Sequence, residues 1–428
     1  MKIRSVLLNG YKNLSDVQII FDRITALVAL NNFGKSNVLS GIDFGIKFVT
    51  AKTNEKEELM GSSNLIPLNR NMKNRNFRFE MELTDNSYGK EFLVQYGYEF
   101  EWKMNEDNDP KLVCEFLKYK RAEKGRKFIQ LINRTDKFAL YKSSETGRCS
   151  SKIKIEPTEL VVNKLLAFDD LYYSKIISGL NSLKFYMENN LDARSFYQPD
   201  PVIRRGLENE MINAENLPRV IFKLKELNPD KFELLKNVYY QLFPDVEDIL
   251  VKKIEMNGSE NNQFPAELPF VFTDTIYALY VKDRNLERSV NFSLMSDGAK
   301  RVFMILTKII ISSISDVSLI AIEEPENSVH PGLFHDYIQI ISQLLDDCKV
   351  IITSHSPYII SYLDPSWIHV GVNGKEGVAR FFSFKKSGQK QLENDAQKFE
   401  MSTGDCLFSL LADPESNLND YLEVDSNA

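Results

Sequence analysis

Ile24-Thr-Ala-Leu-Val-Ala-Leu-Asn-Asn-Phe-Gly-Lys-Ser36 is the stretch on which the fold turns. Its first residues are apolar or β-branched and read as a buried strand. From Ser36 to Phe48 the spacing becomes helical, with Val38, Leu39, Ile42, Phe44, Ile46 and Phe48. A strand, a loop ending in Gly-Lys-Ser and a helix make a phosphate cradle, because backbone N–H groups at a helix N-terminus bind phosphate oxygens. In that frame Lys35 reaches the β- and γ-phosphates and the Ser36 hydroxyl ligates Mg²⁺. The loop departs from G-x-x-x-x-G-K-S at its start, where Ala29 replaces the first glycine. A methyl is tolerated there if φ stays negative. Asn32 stands where a second glycine is common, and asparagine enters left-handed conformations more readily than most residues.

Far along the chain stands Leu319-Ile-Ala-Ile-Glu-Glu-Pro-Glu326. It reads as a buried strand ending in adjacent carboxylates, which repel unless something cationic lies near them. Glu323 would hold magnesium through water, and Glu324 would orient or deprotonate the attacking water. With Lys35, these residues predict a nucleotide-hydrolysis site drawn from both ends of the chain. Phe292-Ser-Leu-Met-Ser-Asp-Gly-Ala-Lys-Arg301 places Ser296 and Gly298 before an apolar helix, Val302–Ile314. Such a helix start is an anion site, although an N-cap at Ser296 explains it equally well. Val350-Ile-Ile-Thr-Ser-His355-Ser-Pro sets one of only four histidines just past a strand, where it can hydrogen-bond a γ-phosphate.

The chain has 428 residues, enough for two or three packed units. Its net charge of −7 excludes an all-over nucleic-acid coat but not a local basic groove. No apolar run is long enough to span a bilayer, so no membrane role is expected. The four cysteines form no CxxC pair, and a reduced, cytoplasmic protein is expected. Lys2–Leu8, Val17–Phe21 and Ile24–Leu30 read as strands, Thr50–Asn76 as a polar loop, and Phe77–Ile155 as strand-rich, including Lys152–Ile155. Thr158–Phe243 turns helical without heptads, and the tail after Phe382 is polar and weakly patterned.

Asn31–Ser36, Ser296–Arg301, Glu323–Pro331 and Thr353–Pro357 resemble the motifs of ABC-type ATPase heads of the RecF, SMC and OLD group. The forms Glu-Pro-Glu-Asn-x-x-His-Pro and Thr-x-His-Ser-Pro resemble those of OLD-like proteins, and the opening Met-Lys-Ile-Arg-Ser-Val-Leu-Leu-Asn-Gly-Tyr-Lys-Asn-Leu is similar to the group's usual start. The likeness covers about the first fifty residues and Phe292–Tyr362. It implies an α/β ABC head, a mostly parallel sheet plus an antiparallel β subdomain, with a β-rich and helical insertion. The expected parts are an N-terminal half over 1–60, a β-rich insertion over 61–155, a helical lobe over 156–260 and a C-terminal half over 261–428.

Carried onto this chain, the resemblance implies that Asn31, Asn32, Gly34, Lys35, Ser36 and Asn37 hold ATP. Ser36 and Glu323 serve Mg²⁺, Glu324 is the catalytic base and His355 the switch histidine. Lys12 approaches the phosphates, Ser296 and Gly298 contact nucleotide bound by a second protomer, and Gln95 and Gln198 are the candidates for a glutamine loop. Trans action of the Ser296 segment implies a head-to-head dimer or higher homo-oligomer. Ala29 and Asn32 put turnover on the slow side.

OLD proteins continue into a Toprim nuclease, which needs a later Asp-x-Asp. None follows Pro357, so no nuclease in cis is expected. The chain instead resembles ATPase subunits of anti-phage systems such as Septu and PARIS, which act with a separate effector, often a nuclease. One alternative is a RecF-like clamp on DNA, using the basic runs Arg70, Lys73, Arg75, Arg78 and Lys118, Lys120, Arg121, Lys124, Arg126, Lys127. The other reading of those runs is a set of solvated hairpin faces balanced by Glu80, Glu82 and Glu123. A third function is an ATP-gated scaffold with negligible hydrolysis.

Overall fold

The computed structural model describes residues 1–67, 69–72, 75–104, 109–189, 195–205, 211–212, 216–256, 269–345, 348–373, 377–413 and 416–423. The chain divides into two compact units, Met1–Met187 with Lys349–Ala428, and Glu188–Cys348.

The first unit opens with β1 (Lys2–Asn9), β2 (Val17–Ile20), β3 (Ile24–Val28) and α1 (Lys35–Thr50). Next comes α2 (Thr53–Met60), where the sequence predicted only a loop. Glu55 reaches back to the amide of Lys52 at 3.0 Å, and Met60 is fully buried, so one capping contact and one anchor make this polar stretch helical. The strands β4 (Phe77–Asp85), β5 (Phe92–Phe100), β6 (Leu112–Arg121), β7 (Ile129–Arg134), β8 (Ala139–Tyr141) and β9 (Ser151–Lys152) follow. They join β1 and β2 in an antiparallel sheet ordered β2-β1-β4-β5-β6-β7-β8-β9. The strand expected over Lys152–Ile155 is shorter, ending at Lys152.

Alternation sets the faces of this sheet: Phe77, Phe79, Met81 and Leu83 of β4 are buried while the residues between them are not. The buried face receives α1. Gly45 lets the helix approach closely, since a Cβ there would lie 2.4 Å from the Phe79 ring. Tyr98 donates its hydroxyl to the Gly45 carbonyl at 2.8 Å. Phe44, Phe48, Phe77, Phe100 and Trp102 pack around this contact, with centroid separations of 4.9–5.7 Å for Phe44 on Phe77, Phe48 on Phe100 and Phe44 on Trp102. Each such buried side chain contributes roughly 1.5–3 kcal/mol. The helix that begins at Lys35 is thus anchored along its length.

Past the sheet come α3 (Val161–Lys164), α4 (Ser174–Asn181) and β10 (Phe185–Glu188). A buried polar knot ties α3 down. Glu115 of β6 accepts from the amides of Val161 at 2.6 Å and Val162 at 3.0 Å. Burial pushes its carboxyl above the usual range, and those two amides oppose the shift. Lys56, only 1% exposed, donates to Asn163 at 2.8 Å and to the Ala51 carbonyl. Burial pushes the Lys56 ammonium down to about 8 from 10.5, against the attraction of Glu115, Glu159 and Glu55. Between those values the unfolded chain keeps a proton that the folded chain has lost, so this group adds stability as pH rises. The unfolding free energy of the wild type, read from urea denaturation, is therefore expected to gain on that of Lys56→Met between pH 7.5 and 9.5, by up to about 1.4 kcal/mol per pH unit. Parallel pH profiles for the two proteins would refute this.

The second unit holds β11 (Val202–Arg204), α5 (Leu217–Leu227), α6 (Pro229–Leu242), β12 (Val246–Glu255), β13 (Phe270–Phe272), β14 (Thr275–Asp283), β15 (Val290–Asn291), α7 (Asp297–Ile314), β16 (Leu319–Glu323) and α8 (Pro331–Leu344). β12, β14 and β15 form one antiparallel sheet, and β11 pairs with β13. α7 starts one turn earlier than its apolar run suggested. Ser296 caps it by accepting from the Ala299 amide at 3.2 Å, and Tyr197, Tyr239, Phe292 and Phe303 pack around its first turns.

The chain returns to the first unit with β17 (Lys349–Ser354), α9 (Pro357–Tyr362), β18 (Ile368–Asn373), β19 (Ala379–Ser383), α10 (Lys386–Lys398) and α11 (Thr403–Ala412). β17 and β18 flank β3 in parallel and β19 pairs antiparallel with β18. The tail expected to be weakly patterned folds into α10 and α11, which bury Leu392, Ala396, Cys406, Leu407 and Leu411. Among the described residues no helix is long and apolar enough to cross a membrane.

Candidate nucleotide site

In the first unit the parallel register decides the site. Ser354 and Val370 both align with Val28, so Ala29, His355 and Gly371 leave three adjacent strands at one edge. The carboxyl ends of parallel strands are where open α/β sheets bind ligands. Gly371 is small because Ala29 is close; a Cβ at 371 would lie 2.7 Å from the Ala29 methyl. Ala29 itself is absent from the residues with positive φ, so its methyl costs the loop nothing. Asn32 takes φ 65° and Gly34 φ 85°, two left-handed residues that bend the loop around its own amides. Lys35 is buried, its Nζ donating to the carbonyls of Ala29 at 2.7 Å and Leu30 at 3.1 Å. Asn31, Asn32 and Ser36 are exposed at the mouth.

A β-branched residue fits poorly at φ 65°. Asn32→Val is expected to raise the KM for ATP roughly tenfold, whereas Asn32→Gly stays within about twofold of wild type. Steady-state phosphate release against ATP concentration reads this, and equal KM values for the two variants would sink it.

Asn13, which the sequence reading passed over for its neighbour Lys12, touches the loop directly. Its Oδ1 accepts from Asn37 at 2.8 Å and lies 3.3 Å from where a Cβ of Gly34 would be. Lys12 takes φ 50°, donates its amide to Leu65 and holds its Nζ 5.5 Å from the Tyr11 ring centroid. Three histidines lie on a strand or helix or cap one. His369 is buried against the Ile20 carbonyl and Ser383, and burial lowers its pKa. His330 caps α8 through the Gly332 amide, and His335 meets Gln339. His355 alone follows a parallel strand.

In the second unit β16 is buried up to Ile322, and Glu323 and Glu324 emerge half-buried. Glu324 sits at φ 47° and Ser328 at φ 65°, so the turn after the strand is tight. Arg301, 1% exposed, donates its Nη2 to the carbonyls of Glu323 at 2.6 Å and Glu324 at 3.2 Å. Gly298 packs on the same turn, where a Cβ would lie 2.1 Å from the Ser328 carbonyl oxygen. One turn of α7 therefore braces the backbone of both carboxylates. Arg301 lay inside a quoted motif, but nothing in the sequence told it from a surface arginine.

A family model described as an AAA ATPase domain matches residues 1–360. The chain belongs to the AAA ATPase domain family. This ATPase is 22% identical over 414 residues to the retron Ec83 probable ATPase of Escherichia coli, covering 88% of this chain and 72% of that one. In structure it is similar to an SMC head bound to the C-terminal winged-helix domain of ScpA, with a TM-score of 0.50, 14% identity, and coverage of 90% of this chain and 99% of that one. An SMC head from Thermotoga maritima aligns at a TM-score of 0.42 with 15% identity, covering 90% of this chain and all of the other. The fold is that of an ABC-type, SMC-like head, and the protein binds ATP and hydrolyses it to ADP and phosphate.

Among the described residues no group of three or more His, Cys, Asp or Glu is placed to hold a metal by itself. The Ser36 hydroxyl is a hard oxygen donor of the kind Mg²⁺ takes together with phosphate oxygens and water, and in the other unit the Glu323 carboxylate is one too. Three members of the basic runs pair with carboxylates: Arg75 with Asp16 at 3.2 Å, Arg78 with Glu80, and Arg126 with Glu123 at 3.0 Å. Lys118 and Lys120 lie over Phe116 and Phe128, and Lys73 falls outside the described residues. Gln95 donates to Glu82 on the antiparallel sheet, and the carbonyl of Gln198 accepts from Asn216.

Proposed function

We propose that the chain is the ATP-driven regulatory subunit of a bacterial defence system that acts with a separate effector, such as a nuclease. The observation that carries this reading is the match over 88% of the chain to an ATPase named for a retron, and the left-handed bends at Asn32 and Gly34 in the loop before α1 support it. In this reading the loop amides from Asn31 to Asn37 and the Lys35 ammonium hold the β- and γ-phosphates, with Lys12 nearby. Ser36 and Glu323 hold Mg²⁺, which when bound neutralises phosphate charge. Glu324 takes the proton of the attacking water, and His355 hydrogen-bonds the γ-phosphate. Ser296 and Gly298, at the start of α7, present amides and a hydroxyl to the nucleotide of a second protomer, so ATP closes a head-to-head dimer.

The test is mass in solution and co-purification with the product of the neighbouring gene, with and without ATP, for the wild type and Lys35→Ala. The expected result is an ATP-dependent dimer, lost in Lys35→Ala, and an effector held in one nucleotide state and released in the other. A monomer under all conditions that captures no neighbour would overturn the proposal.

A further inference from the structure

α11 packs on α9, and the contact is backbone to backbone. Gly404 lies in the first turn of α11, behind the Ser402 cap, whose hydroxyl accepts from the Asp405 amide at 3.0 Å. A Cβ at Gly404 would lie 2.0 Å from the Pro357 carbonyl oxygen, 2.7 Å from its carbon and 3.0 Å from its Cα. Nothing there is the end of a flexible side chain, so an added methyl must move one helix. Leu407 and Leu411 share the helical face of Gly404 and are buried, and Ile359 and Ile360 of α9 and Leu363 just after it are buried too. That seam resists separation.

Pro357 is the first residue of α9 and stands two residues after His355. The strand on the other side of His355 cannot follow a shift, because Ser354 is paired in register with Val28 and its hydroxyl accepts from the Ser356 amide at 3.0 Å. The short link His355–Ser356 therefore absorbs any displacement of Pro357. The segment carrying α11 also begins against the phosphate loop. Ala379 donates its amide to the Asn13 carbonyl at 2.9 Å, and its methyl lies 2.8 Å from where a Cβ of Gly34 would be. Both α10 and α11 lie beyond the residues that the family model matches.

We infer that α11 is a positioning element of the ATPase, and that Gly404, by its contact with Pro357, sets the place of His355 for the hydrolytic step. This rests on the role of His355 proposed above. Gly388 supplies the control. A Cβ there would lie 2.2 Å from the Tyr421 carbonyl oxygen, an equally severe backbone contact of α10 that does not involve the His355 link.

The experiment compares kcat, KM for ATP and thermal midpoint for the full-length wild type, Gly404→Ala, Gly388→Ala and His355→Ala. Displacing a reacting group by about 1 Å costs up to ~10²-fold in rate. Gly404→Ala is expected to lower kcat roughly ten- to a hundred-fold with KM within about twofold. Gly388→Ala is expected to lower the midpoint comparably while each folded molecule keeps its kcat. Leu407→Ala, which loosens the same seam without a clash, carries the same expectation if Gly404→Ala yields no folded protein. Unchanged kcat in Gly404→Ala, or an equal fall in Gly388→Ala, overturns the inference while a slowed His355→Ala leaves the site assignment standing. Unchanged kcat in His355→Ala removes the assignment itself, and the inference with it.

Discussion

Glu324→Gln is expected to lower kcat for ATP hydrolysis by about 10²- to 10⁴-fold, the contribution of a well-placed general base, while leaving ATP binding intact. The substitution keeps the shape of the side chain and removes its charge. Backbone position is secured independently of that charge, since Arg301 holds the carbonyls of residues 323 and 324 and Asn327 donates its amide to the Glu324 carbonyl at 3.0 Å. Stability should therefore stay within about 0.5 kcal/mol of wild type. Removing one of two adjacent negative charges also lowers repulsion toward the phosphates, so ATP should bind as tightly or more tightly. With turnover blocked and binding kept, the ATP-bound dimer should accumulate. Phosphate release and light scattering with saturating ATP and Mg²⁺ measure both effects. Near-wild-type turnover would transfer the base role elsewhere, and loss of ATP binding would mean that the carboxylate serves the nucleotide rather than the water.

What the sequence made legible follows from where its signals are local. The loop Ala29–Ser36 could be read because its chemistry requires a strand, a left-handed bend and a helix start in succession. Asn32 at φ 65° shows that bend in a residue chosen for it. β4, with Phe77, Phe79, Met81 and Leu83 on one face, was equally plain from alternation. α2 was not, because its eight residues bury a single apolar side chain, Met60, and the other buried residue, Lys56, reads as surface charge. α10 is polar for the same reason: only Gly388, Leu392 and Ala396 face inward, too few to show a period.

The site residues that were missed act at long range in sequence. Asn13 meets Asn37 across 24 positions and Arg301 meets Glu323 across 22, and neither spacing carries any periodic signal. Lys12 drew attention as a charge beside a phosphate site, yet Asn13 is the residue whose side chain touches the loop. The basic runs left two readings open. Counted along the chain they allow a nucleic-acid surface or solvated hairpin faces, and Asp16, Glu80 and Glu123 answer Arg75, Arg78 and Arg126 in space. Such exposed pairs contribute little to stability, and they leave less free charge for a phosphate backbone.

Arg301→Met is expected to destabilise the protein by about 2–4 kcal/mol and to slow hydrolysis as well. The guanidinium is buried, and its two bonds to the carbonyls of Glu323 and Glu324 are charge-assisted, each contributing about 1.5–3 kcal/mol. Methionine fills much of the volume but donates nothing, leaving the Glu323 carbonyl without this donor in a place water reaches poorly. The loss is not only one of stability. Glu324 holds a left-handed φ of 47°, a conformation that costs about 1–2 kcal/mol in a non-glycine residue and persists where the surroundings impose it. Once Arg301 is gone, the turn from Glu324 to Ser328 can relax, and the carboxylate moves off the line of attack. Arg301→Lys keeps a charge but lacks the fork that reaches two carbonyls, so it should fall between wild type and Arg301→Met in both measurements. Urea denaturation gives the stability, and phosphate release under conditions where each variant is fully folded gives the rate. A variant as stable as wild type would mean that the two bonds contribute nothing net. A variant that is destabilised yet turns over normally would confine Arg301 to holding the fold, and would leave the placement of Glu324 to the tight turn and to Gly298 packed beneath it.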